Sequence, residues 1–411
     1  MGTLGNGSRG RAPTRLGQGA SSGLQGASLC YPGKVAGFDG LRRVCRDAVA
    51  GSVVPGLVVV VGAGGRELFQ EPFGSRQTEP SREPATVDTV YDLASLTKAL
   101  VTSVLVMRAV EQGRLGLDEP LLAVSETEGP TVRQTLAHAA GLAAHRPLYE
   151  RLGPEALRRP GSMRSRLVAL AAKEAPVRAP GSRSVYSDLG FILIGDWLER
   201  RLGARLDDLA DREIFTPSGL GAAPSGGIGP SFVDLAGAAV ARPFGGRPVA
   251  PTERCAIRGG LIAGQVHDLN AFAMGGVAGH AGLFGAAGDV AGLAHALCAA
   301  WRDTAADGGR PLVSAAVLRE LWAPAGIPDS TWRLGWDGPS ATGSLAGARI
   351  HRRAVGHLGF TGCSLWIDPE RETFVAVLSN RVHPTVRDDA RFRALRPALN
   401  DAALDGARYA A

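Results

Sequence analysis

The stretch Val90-Tyr-Asp-Leu-Ala-Ser95-Leu-Thr-Lys98 places a serine and a lysine three residues apart at the start of a long apolar segment. The segment continues to Gly113, and its composition predicts a helix that is buried on nearly all sides. Residues i and i+3 share one face of a helix, so Ser95 and Lys98 are expected to lie together. A lysine beside a serine hydroxyl in a partly desolvated site can have its pKa lowered enough to accept a proton. The stretch therefore predicts Ser95 as a nucleophile and Lys98 as its activating partner.

The choice of lysine at this position goes against the composition of the chain. Of the 45 basic residues only Lys34, Lys98 and Lys173 are lysines, and the rest are arginines. Arginine cannot act as a proton acceptor, because its guanidinium stays charged in proteins. The pattern Ser-x-x-Lys also arises by chance, and it gains weight here from the apolar helix that it opens.

A second candidate motif is Tyr186-Ser-Asp188, which precedes the apolar run 189–195. A tyrosine on a loop before an apolar helix can place its phenol against Ser95, where a nearby lysine allows it to move a proton. The alternative is structural, with Asp188 capping the helix and Tyr186 packing in the core.

A third candidate motif is His357-Leu-Gly359-Phe-Thr-Gly362, which leads into a predicted strand. A glycine on a strand allows the backbone of a ligand or of another segment to approach closely. The alternative is an ordinary turn at the edge of a sheet.

Strand and helix patterns divide the chain into its two ends and its middle. Residues 56–62 and 67–73 predict a hairpin, and residues 362–368 and 373–379 predict a second one. Residues 130–300 alternate apolar helical segments with loops rich in glycine and proline. The expected fold class is α/β plus α: a mostly antiparallel sheet flanked by helices, built from both chain ends, with a central helical subdomain.

The expected domain organisation is one catalytic domain behind a short tail. Residues 1–36 are rich in glycine, serine and arginine and are expected to be disordered. Residues 37–411 are expected to form the single domain. Its α/β part should comprise about 37–94 and 300–411, and its helical part about 95–299.

The three motifs, in this order, resemble those of the serine β-lactamase and penicillin-binding protein superfamily, and most closely its class C-like branch of esterases and D-amino-acid peptidases. Two further segments are similar to that branch. Residues 134–142, Gln-Thr-Leu-Ala-His-Ala-Ala-Gly-Leu, resemble its "LLTHTSGL" segment. Residues 277–284, Val-Ala-Gly-His-Ala-Gly-Leu-Phe, resemble the start of its "GGLFSTAADLARF" segment. The resemblance implies a β-lactamase/transpeptidase-like fold over roughly residues 38–400.

The resemblance also implies roles for individual residues. Ser95 matches the nucleophile, and Lys98 matches the lysine that lowers its pKa and relays its proton. Tyr186 matches the general base in acylation and an activator of water in deacylation. His357 stands where the third motif has lysine or histidine. The backbone N–H groups of Ser95 and Phe360 match the two oxyanion-hole donors.

Asp188, His357, Gly359 and Phe360 are the expected substrate-binding residues, and two positions depart from the pattern of the superfamily. Asp188 stands where many members have asparagine, and its negative charge should favour a protonated lysine partner. Leu358 stands where the third motif has a hydroxyl that helps to bind a substrate carboxylate. The leucine therefore weakens the case for β-lactam hydrolysis and for carboxypeptidase action.

The predicted function is that of a serine hydrolase that cleaves an ester or amide bond through an acyl-enzyme on Ser95, esterase-like and related to β-lactamases. An alternative within enzymes is a peptidoglycan-fragment amidase or D-amino-acid peptidase. An alternative of another class is a catalytically inactive homologue that binds a ligand. The expected partners are small esters, amides or cell-wall peptides, and the oligomeric state stays open.

Several other classes of function find little support in the sequence. The net charge of +6 is spread over scattered arginines, so nucleic-acid binding is not expected. No cofactor or metal is expected, because His267 and His280 match no metal-ligand spacing. No membrane span or secretory signal is seen, and a cytoplasmic location is expected.

Overall fold

The computed structural model shows a mixed α/β protein. It describes residues 37–121, 129–220, 229–236, 243–305, 310–387 and 390–410. The tail expected at residues 1–36 lies outside these ranges.

The strands are, in chain order, β1 (Gly56–Ala63), β2 (Arg66–Gln77), β3 (Glu83–Pro84), β4 (Tyr91–Asp92), β5 (Ser231–Phe232), β6 (Arg254–Cys255), β7 (Gly260–Leu261), β8 (Leu283–Gly285), β9 (Val355–Leu358), β10 (Ser364–Asp368) and β11 (Thr373–Ser379). The α-helices are α1 (Asp39–Ala50), α2 (Val104–Glu111), α3 (Val132–Leu136), α4 (Leu148–Arg151), α5 (Glu155–Arg158), α6 (Arg164–Ala172), α7 (Asp188–Leu202), α8 (Leu206–Ala210), α9 (Leu269–Ala273), α10 (Ala287–Trp301), α11 (Ala315–Leu321) and α12 (Ala390–Ala410). Two π-helical segments, Lys98–Ser103 and Asp211–Phe215, and the 3-10 turn Pro243–Gly246 complete the regular structure.

A six-stranded sheet joins the two ends of the chain. Its strand order is β3-β2-β1-β11-β10-β9, and neighbouring strands run antiparallel. The first and last strands of the sequence meet at its centre, where Leu57 pairs with Ser379 and Ala63 with Thr373. This confirms the expected fold class, a mostly antiparallel sheet built from both chain ends.

Strand β1 shows why this segment lies at the centre of the sheet. Alternate side chains of a strand point to opposite faces, and every residue of β1 is buried. Leu57, Val59 and Val61 belong to one apolar cluster, and Val58 and Val60 belong to the other. The run of β-branched residues thus packs helices on both faces of the sheet.

Helices α1 and α12 pack together over one face, while α10 packs against β1 and β11 on the other. In α12, Leu399, Ala403 and Ala407 are buried in the same cluster as Phe38. Helix α12 extends to Ala410 because Leu404 and Ala407 continue its apolar face.

The middle of the chain contributes helices α3 to α9 and only short strands. One three-stranded sheet there, in the order β4-β8-β5, links the segment before Ser95 to residues 231–232 and 283–285. The division of the domain near residues 94 and 299 stays a prediction.

Ser95 lies in the turn that precedes a buried helix. That helix begins with the π-helical segment Lys98–Ser103, all of whose residues are buried, and continues as α2. A π-helical segment is rare and often marks a functional site. Among the described helices, none combines the length and the apolar character that a membrane crossing requires.

Substituting Gly356 in β9 with alanine should destabilise the protein. A Cβ atom there would lie 2.3 Å from two ring atoms of Trp366, which is 2% exposed and cannot move aside easily. Overpacking of this kind costs about 1–3 kcal/mol in the free energy of unfolding, which denaturant titration would measure. Gly40→Ala in α1 is the matched control, since nothing lies within 4 Å of its new Cβ atom. Equal unfolding midpoints for the two variants would contradict this account of β9.

Candidate active site

The turn that carries Ser95 is fixed by a buried carboxylate. Asp92 accepts a hydrogen bond from the backbone N–H of Ala94 at 2.8 Å and another from that of His267 at 2.7 Å. Ala94 has a φ of 48°, in the left-handed region that is unfavourable for residues other than glycine. The strained turn presents Ser95, which is partly exposed, to a cavity.

Lys98 is completely buried beneath Ser95, and its ammonium group has a full set of partners. Its Nζ atom lies 2.9 Å from Ser95 Oγ, 2.8 Å from the carbonyl oxygen of His280 and 2.8 Å from Asp188 Oδ1. An ammonium group has three protons to donate, and each has an acceptor here. The expected proximity of Ser95 and Lys98 is thus present, and Lys98 is held as a cation.

Tyr186 lies on the other side of Ser95, in the loop before α7. Its hydroxyl donates a hydrogen bond of 2.7 Å to Ser95 Oγ. Ser187 caps the helix, and its backbone N–H donates to His138 Nδ1 at 3.0 Å. The ring of His138 also packs against Tyr186 at 4.7 Å between centroids, so it fixes the loop that presents the phenol.

Asp188 is the first residue of α7, and it does not cap that helix, contrary to the structural alternative drawn from the sequence. One carboxylate oxygen pairs with Lys98, and the other lies 3.3 Å from His145 Nδ1.

The sequence supports two opposite expectations for the pKa of Lys98: burial should lower it, and the charge of Asp188 should keep the lysine protonated. Burial does act to lower it, but the Asp188 carboxylate and the Tyr186 phenol together raise the pKa of Lys98 above its ordinary value. The expectation of a lowered lysine pKa is therefore wrong for the resting site.

Tyr186 is also protonated in the resting site. Burial raises the pKa of its phenol, and the nearby Lys98 cation only partly offsets this effect. Ser95 Oγ thus accepts hydrogen bonds from two protonated neighbours. Lys98 cannot accept the Ser95 proton while it is an ammonium group.

The third motif begins at the end of β9 and leads into β10 through a turn, and Gly359 lies in that turn rather than on a strand. His357 is 2% exposed, and its Nδ1 atom lies 3.0 Å from the carbonyl oxygen of Leu358, to which it must donate. Burial, and secondly the charge of Lys98, lower the pKa of His357 to about 3. At neutral pH the ring is therefore uncharged and offers Nε2 as a hydrogen-bond acceptor.

The turn after β9 brings a second backbone N–H group to the cavity. Gly359 is required there, because a Cβ atom would lie 2.8 Å from the carbonyl oxygen of Leu93. Thr361 donates to the carbonyl oxygen of Asp92 at 2.8 Å, and Arg396 donates to that of Gly359 at 3.0 Å. Within the described part of the chain, the N–H groups of Ser95 and Phe360 have no recorded acceptor. Neither amide is thus engaged in a hydrogen bond with the described backbone.

The cavity has a volume of about 970 Å³, within the usual range for small-molecule sites. It brings together Ser95 and the expected residues of the second and third motifs, while Lys98 lies below its floor. The expected residues that line it are Ser95, Tyr186, Asp188, His357, Gly359 and Phe360.

The further polar residues of the cavity include His145, Asp268 and His280, none of which was assigned from the sequence. His280 Nε2 lies 2.9 Å from Asp268 Oδ1, and His145 contacts Asp188. The ligand atoms of His145, Asp188 and Asp268 lie within 4.8 Å of one another, so these side chains have the donor types of a metal site. Asp188 is already paired with Lys98, however, and Asp268 with His280. No motif spacing links these residues in the sequence.

Comparison with known proteins accounts for this arrangement. The sequence model of the β-lactamase family matches residues 41–400. The chain belongs to the β-lactamase family. This family protein is 30% identical to an N-acetylmuramyl-L-alanine amidase of Bacillus subtilis strain 168, over 84% of this chain and 81% of the relative. It is 28% identical to a putative D-alanyl-D-alanine carboxypeptidase of Escherichia coli K12, over 74% of this chain and 72% of the relative.

Among solved structures, the β-lactamase-family protein resembles EstCE1, a hydrolase with promiscuous acyltransferase activity. The TM-score is 0.66 at 21% identity, over 89% of this chain and 97% of the other. That likeness shows a shared fold. Together with the family match and the two relatives, it confirms that the chain is an enzyme, a serine hydrolase of the β-lactamase fold.

Asp188→Asn should lower the pKa of Lys98, because burial then acts without the opposing carboxylate. The chain has three lysines, so ¹³C NMR of the ε-carbons can follow each titration, with Lys98→Arg assigning the signal. The Lys98 signal should titrate at a lower pH in the variant than in the wild type. Asp196→Asn, which removes an ion pair with Arg200 on the same helix, is the control. An unchanged Lys98 titration in Asp188→Asn would show that the ion pair does not set its charge.

Proposed function

We propose that this β-lactamase-family enzyme cleaves an amide bond of cell-wall-derived muramyl peptides through an acyl-enzyme on Ser95. The observation that carries the proposal is the contact of Ser95 Oγ with both Lys98 Nζ, at 2.9 Å, and the Tyr186 hydroxyl, at 2.7 Å. A serine flanked by two proton-transfer groups and opening onto a cavity is suited to acyl transfer.

Activation of the serine requires the ion pair of Lys98 with Asp188 to be neutralised. Transfer of the ammonium proton to the carboxylate, over 2.8 Å, converts the ion pair into a neutral pair. The neutral amine of Lys98 then accepts the Ser95 proton, directly or through Tyr186, while Oγ attacks the substrate carbonyl carbon. The amide C–N bond breaks, and the leaving nitrogen takes up that proton.

The backbone N–H groups of Ser95 and Phe360 stabilise the tetrahedral intermediate that forms when Oγ attacks. As the carbonyl oxygen gains negative charge, it accepts hydrogen bonds from the N–H groups of Ser95 and Phe360. Fixed donors of this kind act without reorganising, and a single oxyanion-hole donor can contribute about 10²–10³-fold to the rate. The contacts of Thr361 and Arg396 with the flanking backbone hold the second donor in place.

The class of substrate is supported by the relatives and by the third motif. The relative with 30% identity is named an N-acetylmuramyl-L-alanine amidase. The name of the carboxypeptidase relative implies a substrate that ends in a carboxylate. Here His357 is neutral and Leu358 has no hydroxyl, so a terminal carboxylate finds no strong partner at β9. Simple neutral esters should react at the same serine.

Ser95→Ala should reduce hydrolysis of p-nitrophenyl butyrate by about 10³-fold or more, because no acyl-enzyme can form. Lys98→Arg should be nearly as damaging as Lys98→Ala, since the role requires a group that gives up and regains a proton. Lys173→Arg, at an exposed position, is the control for the lysine change. Retained activity in Ser95→Ala, or in Lys98→Arg, would remove that residue from the mechanism.

The enzyme should release the dipeptide from N-acetylmuramyl-L-alanyl-D-isoglutamine and leave the D-alanyl-D-alanine bond and nitrocefin almost untouched. Leu358→Thr adds the hydroxyl that a carboxylate needs, and a charge-assisted hydrogen bond contributes about 1.5–3 kcal/mol. The variant should therefore gain about 10- to 100-fold with carboxylate substrates and little with p-nitrophenyl butyrate. Leu358→Val has nearly the same shape without the hydroxyl and should show no such gain. Liquid chromatography with mass detection would measure the products, and efficient nitrocefin hydrolysis by the wild type would contradict the prediction.

A further inference from the structure

His145 belongs to the same chain of polar contacts as the serine, although no motif includes it. It lies in the loop between α3 and α4, its side chain is 48% exposed, and it lines the cavity with Ser95. Its Nδ1 atom lies 3.3 Å from one oxygen of Asp188, whose other oxygen binds Lys98. Three polar contacts in series thus connect the His145 ring with Ser95.

The partner of the His145 ring determines which of its nitrogen atoms is free. Asp188 is ionised, because the Lys98 cation and the His145 contact lower its pKa against the effect of burial. An ionised carboxylate only accepts hydrogen bonds, so the uncharged ring of His145 must carry its proton on Nδ1. The Nε2 atom then presents a lone pair, and within the described residues it has no recorded hydrogen-bond partner. An aspartate that orients a histidine in this way is the usual support for a general base.

The charged groups around His145 come from several elements. Asp188 and Lys98 face it from α7 and from the helix below Ser95, and Asp268, paired with His280, faces it from the start of α9. The contact with Asp188 raises the pKa of His145, although burial opposes this effect. His145 therefore acts as a base above that raised pKa and loses this ability as the pH falls through it.

The other candidate bases near Ser95 are less suitable for activating water. His357 has a pKa of about 3 and is too weak a base. Tyr186 is protonated, and its hydroxyl is engaged as a donor to Ser95 Oγ. Lys98 is buried below the serine and has no exposed surface.

We propose that His145 is a further catalytic residue: the general base that takes a proton from the water that hydrolyses the Ser95 acyl-enzyme, with Asp188 orienting its ring. The inference rests on the proposed acyl-enzyme. The water O–H bond breaks, its proton moves to Nε2, and its oxygen bonds to the acyl carbonyl carbon. Collapse of this tetrahedral intermediate breaks the bond between the acyl carbon and Oγ, and Ser95 takes up a proton from Lys98. The Nδ1 proton of the imidazolium passes to Lys98 through Asp188, which restores the resting ion pair, and proton exchange with solvent returns the neutral ring from its Nε2–H form to its resting Nδ1–H form.

The test separates acylation from deacylation in His145→Gln and His145→Ala, with p-nitrophenyl butyrate as the substrate. A good leaving group makes acylation fast, so loss of the water-activating base should leave the burst of p-nitrophenol intact. The kcat value should fall by about 10²–10⁴-fold, and KM should fall with it. Intact-protein mass spectrometry should then find butyrylated Ser95 accumulating. Added imidazole should restore turnover in His145→Ala, which a purely structural role would not allow.

Two controls distinguish a general-base role of His145 from the effect of changing any cavity histidine and from the loss of a metal ion. His267→Gln changes another cavity histidine that pairs with a carboxylate, Glu253 at 3.1 Å, and it should not accumulate butyryl-enzyme. Treating the wild type with a chelator tests the metal-ligand alternative for His145, Asp188 and Asp268. Accumulation of butyryl-enzyme after chelation alone would overturn the proposal.

Failure of this inference can be told apart from failure of the proposed function. His145 variants that turn over slowly without accumulating butyryl-enzyme, or that keep the wild-type kcat, overturn the role of His145 and leave Ser95 in place. A wild-type protein that a fluorophosphonate does not label at Ser95 would instead contradict the acyl-enzyme itself.

Discussion

The buried ammonium group of Lys98 is the constraint on which the site depends. An unpaired charge in a protein interior costs several kcal/mol, so Lys98 can be buried only where acceptors surround it. Its acceptors come from three distant parts of the chain: the turn at Ser95, the start of α7 at Asp188 and the backbone at His280. The helices of the middle region must therefore pack so that these segments converge on the floor of one cavity. The contacts of Lys98 thus depend on the packing of these helices.

Asp188 changes how this lysine can work. With a neutral amide at this position, burial would oppose protonation of Lys98 and favour a free amine. With a carboxylate, the resting state is an ion pair, and the amine becomes available only when its proton moves to Asp188. The arrangement stabilises the charge of Lys98 at rest and keeps its proton within hydrogen-bond distance of a second acceptor. A guanidinium could be stabilised here as a cation, but it could not give up its proton to a second acceptor. This explains why an arginine-rich chain has a lysine at this position.

The sequence predicted those features that depend on local patterns. The β-branched run of β1 and the apolar run of β11 indicate buried strands, and the spacing of Ser95 and Lys98 predicts that they lie together. The contacts across the cavity had no such signal. Asp92 supports the turn before Ser95 by accepting hydrogen bonds from backbone N–H groups, and Arg396 reaches the turn after β9 from α12, 37 positions away from Gly359 in the chain. Contacts of this kind depend on tertiary packing, and they produce no periodic pattern of residues from which they could be predicted.

The two histidines of the cavity show why a residue type does not identify its chemistry. His357 is enclosed at the end of β9, donates Nδ1–H to a carbonyl oxygen and lies near the charge of Lys98, so protonation is strongly disfavoured. His145 is half-exposed and rests against a carboxylate, so protonation is favoured. The first can only accept a hydrogen bond at neutral pH, and the second can take up a proton and release it. The sequence draws attention to His357 because it stands in a motif, whereas the electrostatics of the folded cavity give His145 the properties of a base.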